Sequence, residues 1–135
     1  MPRLLGSVMD RASLRVAVVD DDPSVRRALE RLLRASDFEA STFESGPALL
    51  AAVGSLRPAC IIADLQMPEM TGLELHISLA EAGLRIPTII VTAQDQGDYR
   101  QRCTAAGVAA YLLKPLDRNT VVSAISRAVG QARGS

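Results

Sequence analysis

Apolar positions along this chain follow two different periods. Short runs rich in β-branched residues, at 15–19, 38–43, 59–63, 87–91 and 109–113, read as strands. Four of them carry few polar interruptions, as strands covered on both faces require. The run 38–43 is more polar and alternates, so it belongs at a sheet edge. Between the runs, hydrophobic residues recur at helical spacing. Val25, Ala28, Leu29, Leu32 and Leu33 form the inner stripe of a first helix. Asp22 can cap it, and Pro23 takes the first helical position, where a missing N–H costs nothing. Ser45 starts a second helix expected to run through Val53 and to stop at Gly54. A third runs from Gly72 to about Ala82 and ends at Gly83, and a fourth starts at Asp95 and ends at Gly107. Asp117 caps a fifth, in which Val121, Val122, Ile125 and Val129 face inward.

Five strands alternating with five helices predict an α/β, doubly wound (βα)5 chain of flavodoxin-like fold. Its sheet would be parallel and five-stranded, in the order 2-1-3-4-5, with right-handed crossovers and helices on both faces. One domain is expected over residues 14–130, with an N-terminal extension at 1–13 and a tail at 131–135.

Composition narrows the function classes. Hydrophobic residues make up 48% and charged residues 22%, the balance of a globular domain and not of a disordered one. Fifteen basic and fifteen acidic residues give zero net charge, without the basic excess that neutralises nucleic-acid phosphates. There is no Trp, and two Tyr with two Phe make no stacking platform for single strands, so no direct nucleic-acid contact is expected. No apolar run approaches the roughly 18 residues of a membrane span, and the first 14 residues lack the core of a signal peptide. Cys60 and Cys103 are too few for a disulfide framework, and both read as packing thiols in a cytoplasmic protein.

In a doubly wound sheet, sites form at the carboxyl ends of the strands, near the point where strand order reverses. Asp20, Asp21 and Asp22 follow the first strand, Asp64 the third, Thr92 the fourth, and Lys114 with Pro115 the fifth. The first and third strands are neighbours in the expected order, so Asp20 and Asp21 fall beside Asp64. Three carboxylates this close repel one another, and a hard divalent cation resolves the conflict. Mg2+ fits, and Mn2+ would serve with the same ligands. Lys114 then offers a positive charge and Thr92 a hydroxyl to phosphoryl oxygens. The set describes phosphoryl transfer onto a carboxylate. Taken singly, Asp22 is a helix cap, Lys114 a surface lysine and Thr92 a strand-end hydroxyl; their occurrence in turn at four strand ends carries the reading. His76 lies on the third helix with no metal-spaced partner and reads as an ordinary helix residue. Arg26, Arg27, Arg31 and Arg34 form a basic stretch on the first helix, a solvated face by default and a docking face for a kinase as the second reading.

These landmarks resemble a two-component response-regulator receiver domain, with the first half most similar to the FixJ-type subgroup. The matching segments are Val18-Val19-Asp20-Asp21-Asp22-Pro23, then Ile61-Ile62-Ala63-Asp64-Leu65-Gln66-Met67-Pro68 with Gly72-Leu73-Glu74-Leu75. Val91-Thr92-Ala93 and the stretch from Ala106-Gly107 through Tyr111 to Lys114-Pro115 complete them. The resemblance spans about residues 14–129. It implies that Asp64 accepts a phosphoryl group from a sensor histidine kinase or histidine phosphotransfer protein. Asp20, Asp21, Asp64 and the backbone carbonyl of Gln66 would hold Mg2+. Thr92 and Lys114 would bind phosphoryl oxygens, Tyr111 would be the switch aromatic, and the Lys114-Pro115 bond would be cis. The face made by the fourth helix, fifth strand and fifth helix would meet an output domain or a second copy. Thr71 departs from the pattern, standing where an acidic or small polar residue is common. A competing class is a Mg2+-dependent phosphatase resembling the haloacid dehalogenase group, with Asp20 as nucleophile. That group calls for a late acidic motif, where this chain offers Thr92 and Lys114.

Overall fold

The computed structural model describes residues 14–134, and the expected extension at 1–13 lies outside them. Strands β1 (Arg15–Val19), β2 (Glu39–Phe43), β3 (Cys60–Asp64), β4 (Thr88–Thr92) and β5 (Ala110–Leu113) alternate with five helices. These are α1 (Pro23–Ala35), α2 (Gly46–Leu56), α3 (Gly72–Glu81), α4 (Gly97–Ala106) and α5 (Arg118–Gly134). All four strand pairings are parallel, in the order β2-β1-β3-β4-β5, as the alternation predicted. The polar run sits at the edge as β2.

Strand alternation divides the core into two layers. Val16 and Val18 of β1, Ile62 of β3, and Ile89 and Val91 of β4 pack with Leu29 and Leu33 of α1 and Ile125 and Val129 of α5. Ala17, Val19, Ile61, Ala63 and Ile90 point the other way, onto Leu49 of α2, Leu75 and Leu79 of α3, and Cys103 of α4. A buried strand residue on either face therefore fixes its neighbour on the other.

Helix ends follow local chemistry more closely than the hydrophobic pattern suggested. The Asp22 carboxylate accepts from the N–H of Ser24 at 2.8 Å and caps α1. Helix α2 does not stop at Gly54. It continues two residues because Leu56 packs on the core, and it ends where Pro58 forbids another helical turn. Arg57 then takes the left-handed conformation, φ 48°. Helix α4 starts at Gly97 after an uncapped Gln96, not at Asp95 as the pattern suggested, and the Asp95 carboxylate pairs with Arg100. Asp117 does cap α5, accepting from the N–H of Thr120 at 2.8 Å, and that helix continues through 131–134, where a tail was expected.

Thr71 closes a capping box on α3: its hydroxyl accepts from the N–H of Glu74, whose carboxylate accepts from the N–H of Thr71. Gly72 lets that helix start against the end of β3. A Cβ at this position would lie 2.6 Å from the carbonyl oxygen of Asp64 and 3.1 Å from Ile90 Cδ1. Gly72→Ala should therefore lower stability by about 1–3 kcal/mol through forced displacement of the β3 end. Thr71→Ala should cost about 1 kcal/mol through loss of the cap. Urea denaturation reads both; a Gly72→Ala midpoint equal to the parent's would show that α3 tolerates a shift.

Candidate functional site

The carboxyl ends of β1, β3, β4 and β5 meet at one edge of the sheet, and each brings its polar residue. Asp20 is fixed by its own backbone, whose N–H donates to the carbonyl of Phe43 at 3.1 Å. Its carboxylate accepts from the N–H of Asp22 at 2.9 Å through Oδ1 and from Lys114 Nζ at 3.1 Å through Oδ2. Lys114 also reaches Asp64 Oδ1 at 3.3 Å, so a single ammonium spans two acids. The lysine is aimed by its backbone, which donates to the carbonyl of Thr92 at 2.8 Å, and its peptide bond to Pro115 is cis.

Asp20, Asp21 and Asp64 each present a carboxylate oxygen to the same point, the three atoms lying within 4.8 Å of one another. Three formal negative charges face the one positive charge of Lys114. Hard oxygen donors in that arrangement fit a small divalent cation. Asp20 is buried at 1% exposure, Asp64 stands at 7%, and Asp21 is exposed.

Electrostatics of the cluster bear on Asp64 first. Burial pushes its carboxyl above the usual range, the charges of Asp20 and Asp21 push the same way, and Lys114 opposes them. Burial works against the charge on Lys114, but the hydrogen bonds and charges of Asp20 and Asp64 outweigh it and hold the ammonium above its ordinary range.

Two open clefts flank the cluster. One, of about 410 Å3, is lined by Asp64, Gln66, Thr92, Ala93, Gln94 and Lys114. The other, of about 400 Å3, is lined by Asp21, Arg26, Glu44, Ser45, Pro68 and Glu69. The Thr92 hydroxyl donates to the carbonyl of Gln94 at 3.1 Å and so turns along the loop after β4. Tyr111 is set apart from the first cleft. It packs on the α2–α3–α4 side of the sheet with its hydroxyl buried and, among the described residues, without a hydrogen-bond partner.

Some contributors were not foreseen. Arg26 leaves the solvated face and donates from Nη1 to the carbonyl of Asp20 at 2.7 Å, bracing the acidic turn from α1. His76 donates from Nε2 to the carbonyl of Ala106 at 2.9 Å and ties α3 to the end of α4. Arg100 lies over the Tyr111 ring, its Cζ 4.5 Å from the ring centroid. Spacing gave no hint of the last two, since each joins separate elements. Cys60 and Cys103 are free and buried, as packing thiols should be, and burial pushes the Cys60 thiol up to about 12. Among the described residues no helix is long and apolar enough to cross a membrane.

Comparison with known proteins bears on what this arrangement does. The family described as response regulator receiver domain matches residues 16–126. The DNA-binding transcriptional regulator NtrC of Salmonella typhimurium is 38% identical over 114 residues, 84% of this chain and 24% of that protein. The transcriptional regulatory protein FixJ of Rhizobium meliloti is 31% identical over 113 residues, 84% of this chain and 55% of that one. The crystal structure of FixJ-N superposes with TM-score 0.82 at 30% identity, covering 87% of this chain and 94% of the other. The chain thus spans between about a quarter and about half of those two regulators. The phosphatase alternative gains no support, and both oxygens of its supposed nucleophile, Asp20, already accept hydrogen bonds.

The raised pKa of Asp64 has a sign that can be checked. A carboxyl held above its unfolded value stabilises the fold while protonated and loses that contribution as pH rises through the folded value. In cation-free buffer, Asp64→Asn should melt higher than the parent at pH 7, and the gap should close below about pH 4. A gap that widened on acidification would contradict the burial of this carboxylate.

Proposed function

The chain belongs to the response regulator receiver domain family, and from that premise we propose that it is a phosphorylation switch whose acceptor is Asp64. A receiver is a signalling domain of two-component systems. What supports the choice of residue is one observation: among the described residues, Asp64 is the one carboxylate that both contacts Lys114 and lines the open cleft shared with Thr92 and Gln66. Asp20 is more deeply buried with both oxygens engaged, and Asp21 faces the opposite cleft.

The reaction needs an anionic nucleophile and a place for charge to go. An oxygen of Asp64 attacks the phosphorus of a phosphohistidine on a sensor histidine kinase or histidine phosphotransfer protein. The O–P bond forms as the P–N bond breaks, and the electron pair stays on the imidazole, which leaves with a proton. Asp20, Asp21, Asp64 and the backbone carbonyl of Gln66 would hold Mg2+, or Mn2+, which when bound would supply a Lewis acid to offset the gathering negative charge. Lys114 moves its ammonium from the Asp64 carboxylate to a phosphoryl oxygen. Thr92 gives up the carbonyl of Gln94 for another phosphoryl oxygen, vacating space into which Tyr111 can turn. The domain acts on no separate substrate; its chemistry is its own phosphorylation and dephosphorylation.

The surface changed by that step is α4–β5–α5, which would dock a tethered output domain or a second copy. The relatives' names point to transcription as the controlled process. With zero net charge, this domain is assigned no DNA contact of its own. Free buried thiols fit a reducing cytoplasm.

Phosphoryl label from a small donor with Mg2+ should map to Asp64 and be absent from Asp64→Asn; label on Asp20 would overturn the assignment. Millimolar Mg2+ should raise the melting temperature of the parent by mass action and leave Asp21→Ala unmoved. An Mg2+ response that survived Asp21→Ala would remove that carboxylate from the cation's ligands.

A further inference from the structure

Helix α4 is held differently from the other helices. Among its residues only Cys103 is buried, and its N-cap makes no side-chain bond. Beyond Cys103 and the partly buried Tyr99 and Ala106, polar contacts supplement the packing. Asp95, in the loop between β4 and α4, accepts from Arg100 at both oxygens, from Nε at 3.3 Å and from Nη2 at 3.2 Å. That paired contact fixes the plane of the guanidinium. The same guanidinium lies over the face of the Tyr111 ring on β5. The Tyr111 hydroxyl beneath is buried with no partner among the described residues, an arrangement that favours leaving the site. Gln94, next to Asp95, is the residue whose carbonyl holds the Thr92 hydroxyl.

We infer that Asp95 and Arg100 form a latch that keeps Tyr111 in its resting place, making Arg100 a positioning residue for the switch. The inference rests on the phosphoacceptor reading above. The pieces form one continuous chain: Thr92 hydroxyl to Gln94 carbonyl, the adjoining Asp95 carboxylate, the Arg100 guanidinium, the Tyr111 ring. If Thr92 leaves Gln94 for a phosphoryl oxygen, the loop that anchors Arg100 loses a hold, and the guanidinium no longer covers the ring. The latch belongs to the resting arrangement alone, so a ligand that favours the other arrangement must work against it. Removing the latch therefore tightens binding of that ligand, by the reciprocity of coupled equilibria.

The chain has no Trp and two Tyr, so Tyr99→Phe leaves Tyr111 as its one tyrosine fluorophore. In that background, acrylamide quenching should be greater for Asp95→Asn, which keeps Arg100 but frees it. Unchanged quenching would overturn the latch whether or not Asp64 is the acceptor. Beryllofluoride with Mg2+, a non-hydrolysed mimic of the phosphoryl group, gives the second reading. Arg100→Ala and Asp95→Asn should each bind it about 2- to 5-fold tighter than the parent, the worth of an exposed cation–π contact. Arg100→Lys should fall between, since an ammonium keeps the charge but neither the fork nor the flat stack. Equal affinities in all four proteins would reduce Arg100 to a cover without influence on the site, against the inference. Failure of the parent to bind the mimic would instead count against the phosphoacceptor reading, and the quenching result would still decide the latch. Asp95 and Arg100 are both roughly half exposed, so the substitutions leave the core intact.

Discussion

Three carboxylates converge where β1 and β3 end, and the single ammonium of Lys114 reaches two of them. A cluster like this is expensive to build. Repulsion and lost hydration both oppose it, and Asp64 registers the strain in its raised pKa. What surrounds the cluster can be understood as the means of holding it. The β1 end is pinned by Phe43 and braced by Arg26, the β3 end by the close approach of Gly72, and the lysine by the end of β4. Each brace acts on the backbone, so the acids keep their mutual positions while their side chains remain free to exchange partners.

Much of this was readable from the residues because sheet topology turns sequence order into position. Once five buried runs alternate with helices, the order of strands is nearly settled, and the residue after each strand falls at one edge. Asp20, Asp64, Thr92 and Lys114 were therefore placed together without any contact being known. Helix ends were less legible. Gly54 looked like a stop, but Leu56 had core to cover and Pro58 supplied the true limit. Asp95 looked like the start of the fourth helix, but its carboxylate pairs with Arg100, five residues on, and the helix begins at Gly97. The contacts of Arg26 and His76 were not foreseen for a related reason: a charged or polar residue at helical spacing shows its face of the helix, not the carbonyl that happens to lie opposite.

The helices also divide by how they are held. α1, α2, α3 and α5 bury rows of Leu, Val and Ile against one layer of the core. α4 fully buries only a cysteine, packs Tyr99 and Ala106 partly on the core, and adds ion pairs, arginines laid over tyrosines and the bond from His76. Polar contacts at the surface are individually weak and exchange readily with water. The element with the least apolar packing is the one that can be displaced at small cost, and it stands beside the strand ends that carry Thr92 and Lys114.

The two helices that begin beside the acids each have a first-turn N–H taken by their own cap. Asp22 occupies that of α1, and the reciprocal bonds of Thr71 and Glu74 close that of α3. Each is therefore a poorer anion cradle than an uncapped helix start would be. A free phosphate or sulfate drifting into the pocket meets three carboxylates and a lysine already engaged. Only an anion that arrives together with positive charge finds the electrostatics in its favour. The charges around the acids thus set the same condition on any anion that enters: it must bring its own compensating cation.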